Sequence, residues 1–411
     1  MTANIPKHWK IKKLGEIGVF FKGKGVPKNK ITDTGFKCLT YGDLYTKYDF
    51  VIEGVKSFID KETALISQEI RYGDICFAGS GETLEDIGKC ATFIDDKIGY
   101  AGGDIIVFRT EQNPIVMSYL LNSDIAKKQK FSMGQGHSVV HIYSSQLEML
   151  KLPIPPLEEQ EKIAEILLNC DKAIRLTTQI ITQLKQRNQG LAQQLLTGEK
   201  RVKGFEKSVW KEVRLGEIGE ISSAGVDKKV IEGEKPIRLL NYLDVYKRNF
   251  IHSDELMHWV TATDEKIQKC NILQGDVFFT PSSEVRNDIA ISAVAIEDIE
   301  KAVYSYHIVR LRFKKKIDLN FKAFMFKTDF FFKQAQFLSE GSGTRYVISQ
   351  SNFRNIKIFL PTYEEQKIIG NILVKAEKEL KLYEQKLQLL QAQKKTLMQK
   401  LLTGEILTIK K

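Results

Sequence analysis

Two kinds of hydrophobic pattern alternate along this chain of 411 residues. From Ile163 to Leu195, apolar residues recur at alternating steps of four and three, and Leu167 and Cys170 are the first two steps. The same alternation returns from Ile369 to Leu401. Such spacing over about four heptads is typical of the seam of a coiled coil. The sequence therefore predicts two helices of about 40 residues, each about 60 Å long at about 1.5 Å per residue.

Start and stop signals flank both predicted helices. A proline precedes the first turn, two glutamates lie in it, and a glycine follows the last turn, as expected for helix ends. These residues are Pro155, Glu158, Glu159 and Gly198 in the first helix, and Pro361, Glu364, Glu365 and Gly404 in the second.

One polar residue interrupts each seam at the same repeat position: Asn188 in the first helix and Lys394 in the second. Two interpretations are open at this point. The polar residue is tolerated near a frayed helix end, or it fixes the register of the paired helices.

The regions before the two helices repeat each other as well. Both mix short apolar runs with Gly, Asp and Asn turns, which is typical of a β-rich or α+β domain. The aligned segments are Trp9 with Trp210, Leu14–Gly18 with Leu215–Gly219, Gly73-Asp74 with Gly275-Asp276, and Gly134-Gln135-Gly136 with Gly341-Ser342-Gly343. The chain is therefore interpreted as a tandem duplication.

The predicted fold class is α+β, with two globular domains separated by two long helices. We expect a globular domain over residues 1–155, a helix over 156–200, a second domain over 201–361 and a second helix over 362–411. Two equivalent helices in one chain can cover each other's seams. An antiparallel coiled coil is favoured because it gives the two copies equivalent surroundings. This pseudo-two-fold repeat would place one domain at each end of a rod.

Charge and cysteine content narrow the class of protein. The chain has 62 Lys and Arg against 51 Asp and Glu, a net charge of +11, which favours a polyanionic partner. Its five cysteines form no Cys-x-x-Cys pair, which argues against a disulfide framework and a zinc cluster. No apolar run is long enough to span a membrane, and the first residues lack an apolar signal segment. We expect a cytoplasmic protein that does not contact the membrane.

Candidate catalytic motifs lack the context that their chemistry needs. Phe21–Gly25 has the spacing of an S-adenosylmethionine loop, but Pro27 follows where a helix should begin. Ile154–Leu157 lacks the polar residue and the aromatic ring that hold a flipped adenine, and there is no GxxxxGK[ST] phosphate loop. His137 and His141 are four residues apart without further ligands. We therefore expect no catalysis, no cofactor and no metal.

The order of these elements resembles the specificity (S) subunit of a type I restriction-modification system. The resemblance covers nearly the whole chain and includes the opening segments at Trp9 and Trp210. It is carried by Leu152-Pro153-Ile154-Pro155-Pro156-Leu157-Glu158-Glu159-Gln160 and Leu195-Leu196-Thr197-Gly198-Glu199, and by Leu360-Pro361-Thr362-Tyr363-Glu364-Glu365-Gln366 and Leu401-Leu402-Thr403-Gly404-Glu405 in the second copy. The second copy departs from the pattern at Thr362-Tyr363.

The resemblance implies a non-catalytic subunit that recognises double-stranded DNA. The globular domains would be target recognition domains, each reading one half of an interrupted, bipartite site. The helices would set the spacing of the half-sites and dock two methyltransferase (modification) subunits, which in turn associate with restriction subunits. The alternative is a coiled-coil scaffold without sequence-specific DNA binding.

Three segments in each domain carry the side-chain types that contact phosphates and base edges. They are the basic loop after the opening strand, the segment after the Gly-Asp strand and a late Gly-rich turn. Ordinary solvent-exposed turns are the alternative interpretation. Because unlike half-sites must be read differently, we favour residues that differ between the copies. The candidates are Lys22, Lys24, Lys28, Ser80, Thr83, Gln135, His137 and Ser138 in the first domain, and Lys228, Lys229, Ser282, Ser283, Arg286, Ser342, Thr344 and Arg345 in the second.

Overall fold

A computed structural model describes residues 5–136, 139–223, 225–343 and 345–408. The chain divides into two compact units. The first consists of Met1–Thr177 and Lys386–Lys411, and the second of Thr178–Gln385. Each unit therefore contains one globular domain, the N-terminal half of one long helix and the C-terminal half of the other.

The first globular domain is built from short strands and short helices, and the first long helix follows it. Its strands are β1 (Lys10–Lys13), β2 (Gly18–Lys22), β3 (Ile31–Thr32), β4 (Phe36–Leu39), β5 (Val51–Ile52), β6 (Ser57–Ile59), β7 (Gln68–Ile70), β8 (Ile75–Ala78), β9 (Ser80–Gly81), β10 (Cys90–Phe93), β11 (Gly99–Ala101), β12 (Ile105–Thr110), β13 (Val140–His141) and β14 (Lys151–Ile154). The helices are α1 (Tyr41–Thr46), α2 (Lys61–Ile66), α3 (Pro114–Leu121), α4 (Asp124–Met133), α5 (Ser144–Leu147) and the long α6 (Leu157–Leu196).

The second copy has the same plan and ends in the second long helix. Its strands are β15 (Lys211–Arg214), β16 (Gly219–Ser222), β17 (Lys235–Leu240), β18 (Phe250–Ile251), β19 (Trp259–Ala262), β20 (Asn271–Ile272), β21 (Val277–Phe279), β22 (Ser282–Ser283), β23 (Ser292–Ala295), β24 (Ile299–Tyr304), β25 (Val309–Phe313), β26 (Glu340–Ser342), β27 (Arg345–Val347) and β28 (Lys357–Leu360). The helices are α7 (Leu215–Ile218), α8 (Tyr242–Tyr246), α9 (Asp264–Lys269), α10 (Leu319–Lys322), α11 (Asp329–Phe337), α12 (Gln350–Asn355) and the long α13 (Tyr363–Thr403).

Sheet topology shows the duplication directly. A five-stranded sheet of order β2-β12-β8-β10-β5 in the first domain corresponds to β16-β25-β21-β23-β18 in the second. A second sheet of order β3-β6-β4-β11-β7 corresponds to β19-β17-β24-β20, which lacks one edge strand. The pairs β1-β14 and β15-β28 also correspond. The predicted α+β class and the internal repeat are therefore confirmed.

The repeated Gly-Asp pair has a structural explanation in both domains. Asp74 is buried at the start of β8 and receives two hydrogen bonds of 2.7 Å from the Arg109 guanidinium on β12. Asp276 receives the same pair from Arg312 at 2.8 and 2.6 Å. A bidentate arginine compensates the cost of burying a carboxylate. The motif therefore ties neighbouring strands together.

The start of each long helix is fixed to its own domain through the glutamates of the repeated motif. Glu159 accepts a hydrogen bond from the Trp9 indole at 3.1 Å, and Glu365 accepts one from Trp210 at the same distance. The next residue, Gln160, donates to the Pro155 carbonyl and accepts from the Asn113 backbone. The two tryptophans are therefore anchors of the helix start.

The two long helices pair antiparallel, as predicted. In the second unit, Arg187 donates to Glu379 at 2.7 Å, and Lys185 lies 3.0 Å from Glu384. Further along α6, Leu195 and Leu196 belong to one buried cluster with Ile369 and Leu373 of α13. The contacts on α13 therefore move towards its N-terminus as α6 proceeds towards its C-terminus. In the first unit, Ile163 and Leu167 of α6 share a cluster with Leu401 and Leu402 of α13.

In the part of the chain that the structure describes, none of the helices contains the apolar stretch that a membrane span requires.

Candidate nucleic-acid interface

A short ladder joins two of the predicted segments in the first domain. Ser80 and Gly81 on β9 pair with His141 and Val140 on β13. The Ser80 hydroxyl lies 3.1 Å from Nδ1 of His141, and Ser80 is only 6% exposed. Ser80 therefore holds the ladder together from inside the domain.

Gln135 precedes this ladder in an exposed position. Its backbone N–H donates to the His141 carbonyl at 3.0 Å, and the His141 N–H donates back at 2.7 Å. The Gln135 amide has no hydrogen-bond partner among the described residues, so both its donor and its acceptor are available to a ligand. His137 and Ser138, between these strands, lie outside the described residues.

Thr83 follows β9 in an exposed loop beside acidic side chains. Glu82 and Glu85 flank it and are exposed as well. These carboxylates would repel a phosphate, so a threonine here suits a base edge better than the backbone of DNA.

The basic loop of the first domain follows β2 at the same end of the large sheet at which β8 leads into β9. Lys22 ends β2 opposite Ile106 of β12, and Ile106 pairs in turn with Phe77 of β8. Lys24 follows, and its backbone N–H donates to the Ala101 carbonyl at 2.9 Å. Lys22, Lys24 and Lys28 are all exposed, and no ion pair involves them among the described residues. Their charges are therefore available for phosphates.

In the second domain the corresponding ladder has three strands and borders a cavity. Ser282 and Ser283 on β22 pair with Val347 and Tyr346 on β27, and Ser342 on β26 pairs with Arg345. The cavity has a volume of about 460 Å³. Its lining includes Tyr242, Tyr246, Ser282, Ser283 and Arg345.

The two predicted arginines of this domain have different environments. The Arg286 guanidinium donates to the Ser339 hydroxyl at 3.3 Å and to its carbonyl at 3.1 Å, and lies 5.4 Å from the centre of the Tyr346 ring. Arg286 thus braces the ladder. Arg345 is exposed, and its side chain makes one hydrogen bond among the described residues, from Nη2 to the Ser282 hydroxyl at 3.2 Å.

Lys228 and Lys229 are both exposed but differ in charge pairing. Lys229 Nζ lies 3.1 Å from the Asp227 carboxylate, and this contact lowers the pKa of Asp227. The backbone N–H of Lys228 donates to the same carboxylate at 2.8 Å, whereas its ammonium group is not in an ion pair with any described residue. Lys228 therefore offers the freer charge.

His307 and Tyr306 belong to this site and were missed by the sequence analysis. Burial lowers the pKa of His307, and the positive charges of Lys228 and Arg345 lower it further. The charges of these two predicted residues therefore act on one imidazole ring. Tyr306 is exposed, with its ring centre 3.8 Å from that of His307.

A signal for these two residues was present in the repeat. The Ile308 N–H donates to the Ser305 carbonyl, as the Ile105 N–H donates to the Gly102 carbonyl in the first domain. Tyr306-His307 therefore replaces Gly103-Asp104 in the same turn. A search for differences between the copies at this turn would have found them.

The structure also changes the alignment of the Gly-rich turns. Gly136 has φ +122° and Gly341 has φ +120°, and a Cβ on either would lie 2.1 or 2.2 Å from the carbonyl oxygen of Val139 or Arg345. Only glycine fits such a position. Gly136 thus corresponds to Gly341 rather than to Gly343, and Val139 corresponds to Arg345. The second hairpin is one residue longer, and its Thr344 lies outside the described residues.

The arrangement offers hydrogen-bond donors, positive charge and aromatic faces. These are the groups that bind phosphates, base edges and deoxyribose. Among the described residues, no three His, Cys, Asp or Glu side chains are grouped as metal ligands.

Comparisons with known proteins agree with this arrangement. The family model for the type I restriction modification DNA specificity domain matches twice, over residues 6–186 and 207–392. The type I restriction enzyme MjaVIII specificity subunit of Methanocaldococcus jannaschii is 26% identical over 98% of this chain and 94% of its own. A putative MjaX specificity subunit from the same organism is 27% identical over 98% and 95%.

Solved structures show the same fold. The S subunit of a type I restriction-modification system from M. genitalium superposes with a TM-score of 0.58 at 16% identity, covering 98% of this chain and 97% of that one. The HsdS subunit from Thermoanaerobacter tengcongensis gives a TM-score of 0.50 at 17% identity, covering 99% and 100%.

Proposed function

Because this chain belongs to the family of type I restriction-modification specificity subunits, we propose that each of its two globular domains reads one half of a bipartite, interrupted site in double-stranded DNA. Residues 1–155 and 201–361 are the proposed target recognition domains. The subunit selects the sequence, and catalysis belongs to its partner subunits.

One observation carries this proposal: the same strand ladder occurs in both domains with different exposed side chains. The β9-β13 ladder presents Val139 at the position where the β22-β27-β26 ladder presents Arg345, and Gln135 is exposed beside the first ladder. Conserved backbone geometry with unlike side chains is what two readers of unlike half-sites require. A scaffold that binds only proteins has no need of this difference.

The candidate residues divide by environment into phosphate contacts, base contacts and supports. Exposed lysines bind phosphates, and exposed or half-buried polar side chains on or beside the ladders bind base edges. The phosphate group consists of Lys22, Lys24, Lys28, Lys228 and Lys229. The base group consists of Thr83, Gln135, Ser283, Ser342 and Arg345. His137, Ser138 and Thr344 lie outside the described residues and stay base-contact candidates from the sequence. Ser80, Ser282 and Arg286 hold these ladders in shape.

The helices at residues 156–200 and 362–411 set the spacing of the half-sites and dock two methyltransferase subunits. Restriction subunits join through the methyltransferases. Exposed apolar residues on both helices support a docking role, since Leu176 on α6 and Leu382 and Leu389 on α13 are 46%, 56% and 70% exposed. Each of these side chains offers apolar surface that a partner subunit could bury.

The test is DNA selection by the full chain assembled with its modification subunits. A duplex library with a randomised segment is incubated with the complex, and the bound fraction is sequenced at several salt concentrations. The proposal expects two enriched elements separated by a fixed unread gap. Assembly of the complex without any enriched sequence would instead support the scaffold alternative.

A further inference from the structure

The cavity of the second domain combines one exposed arginine with two carboxylates. Arg345, Glu284 and Asp288 all line it. Asp288 accepts a hydrogen bond of 2.6 Å from the Tyr246 hydroxyl, which holds this carboxylate in place. A phosphodiester entering here would meet two negative charges in addition to the guanidinium. A base edge is uncharged and meets no such repulsion.

Arg345 is positioned by the ladder beneath it. Its backbone pairs with Ser342 in the β26-β27 ladder, and β27 pairs with β22. One guanidinium nitrogen, Nη2, donates to the hydroxyl of Ser282, which is 9% exposed. An arginine side chain has five N–H donors in a planar fork, so most of them remain available. The side chain is therefore anchored at one edge and open at the other.

Guanine matches the open edge of this side chain. Its major-groove edge presents two adjacent acceptors, N7 and O6, whereas adenine presents one acceptor beside one donor. A guanidinium can donate to both guanine acceptors at once through its rigid planar fork. An ammonium group is a compact charge without this fork and fixes the two contacts less well. The two stacked tyrosines, Tyr242 and Tyr246, with ring centres 5.9 Å apart, form an apolar wall beside the arginine.

The first domain lacks this feature. The position equivalent to Arg345 is Val139, because Val140 pairs with Gly81 as Tyr346 pairs with Ser283. Val139 is 51% exposed and has no polar group in its side chain. The readout is therefore specific to one half of the chain.

We infer that Arg345 makes a bidentate contact with a guanine in the half-site read by the second domain, with Ser282 as its positioning residue and Glu284 and Asp288 excluding phosphate. This inference rests on the proposed function and adds to it the identity of one base. Arg286, whose guanidinium is bound to Ser339, has no part in it.

The experiment compares four full-length proteins, each assembled with its modification subunits, on one duplex library with a randomised segment. These are the wild type, Arg345→Ala, Arg345→Lys and the control Arg354→Ala, which removes an exposed arginine of the same domain outside the cavity. The wild type should require guanine at one position of one half-site. Arg345→Ala should reduce the preference for that guanine by about 5- to 150-fold.

Arg345→Lys distinguishes a bidentate base contact from simple charge. It should lose most of the guanine preference while retaining the salt dependence of the wild type, since the charge is kept. Arg354→Ala should keep the wild-type profile. A guanine preference that survives in Arg345→Ala, or that Arg345→Lys fully retains, would overturn the inference while leaving the two-domain reading intact. A wild type with no enriched sequence would instead refute the proposed function itself.

Discussion

Lys394 on α13 donates a hydrogen bond to the carboxylate of Asp171 on α6, within the unit that contains the first domain. The second oxygen of Asp171 accepts from the Tyr119 hydroxyl. The Lys394 ammonium also lies 4.3 Å from the centre of the Phe50 ring, and its side chain is 13% exposed. A polar seam residue is thus part of a specific contact between the helices.

The equivalent seam residue in the second unit makes a different contact. Asn188 on α6 donates to the backbone carbonyl of Ala376 on α13 at 2.9 Å. A shift of one long helix along the other would separate Lys394 from Asp171 and Asn188 from the Ala376 carbonyl. Two interpretations of the polar seam residues were open. The structure favours the one in which they fix the register of the paired helices, rather than the one in which they are tolerated near a frayed helix end.

Loss of the Lys394 ammonium should destabilise the first unit. In Lys394→Met, the Asp171 carboxylate keeps the hydrogen bond from the Tyr119 hydroxyl but loses its ion pair with the ammonium group. We expect the free energy of unfolding to fall by about 3 kcal/mol. Guanidinium unfolding followed by circular dichroism measures this change. The double variant Asp171→Asn/Lys394→Met should recover most of it, because no carboxylate is then left unpaired. A loss under about 1 kcal/mol, as for surface pairs, would contradict the interpretation.

Arg201 should be essential at the start of the second long helix. Glu365 is fully buried and accepts two hydrogen bonds of 3.1 Å from the Arg201 guanidinium, besides the one from Trp210. Arg201→Met leaves this carboxylate without a cation, and we expect a loss of about 3–5 kcal/mol in thermal or denaturant unfolding. Trp210→Phe removes one donor only and should cost about 2 kcal/mol. The reverse order of the two effects would show that the hydrogen bond from Trp210 stabilises the helix start more than the ion pair with Arg201 does.

The helices and the duplication were predictable because their signals are local and repeated. The seam from Ile163 to Leu195 appears as a fixed step along the chain, and so does its copy in α13. Antiparallel pairing followed from the need to cover two equivalent seams within one chain. None of these inferences needed to know which distant strands meet.

The composition of the site was only partly predictable, because it depends on tertiary contacts. Ser80 and His141 are 61 positions apart and meet only through the β9-β13 ladder. Arg286 and Arg345 look alike in sequence and both are exposed, yet the Arg286 guanidinium donates two hydrogen bonds to Ser339, whereas that of Arg345 donates one, to Ser282. The turn alignment was displaced because Gly341 and Gly343 both have a positive φ, and spacing cannot show which of them lies against the opposite strand as Gly136 does.

Lys22 should contribute affinity without contributing specificity. Its ammonium is exposed and belongs to no ion pair among the described residues, so it suits a phosphate. Lys22→Ala should weaken binding evenly across sequences and reduce the slope of log affinity against log salt by about one unit. Lys162→Ala, which removes an exposed lysine on α6 paired with Glu158, is the charge-matched control. An altered sequence profile in Lys22→Ala would place this lysine at a base.

His307 should make the second unit less stable in mild acid. Its pKa is lowered by burial and by Lys228 and Arg345, so the folded state resists protonation. As the pH falls below about 6.5, His307 is protonated in the unfolded chain before it is protonated in the folded protein. Protonation therefore favours the unfolded chain, and the stability that the neutral imidazole allows above that pH is progressively lost. In His307→Gln this loss should be absent. Unfolding curves of both proteins at pH 5 to 8 measure the difference, and a gap that does not change with pH would exclude His307 as the cause.

Helix length should set the spacing of the recognised half-sites. Seven residues inserted into each helix, between the Asp171–Lys394 contact and the Arg187–Glu379 contact, add one heptad and keep the seam in phase. Each helix gains about 10 Å, equivalent to about three base pairs of B-DNA. The unread gap in sequences selected by the complex should lengthen accordingly, while both half-sites stay the same. Insertion into α6 alone, the control, leaves the seams unequal and should abolish selection. A longer pair of helices with an unchanged gap would refute the role of the helices in spacing.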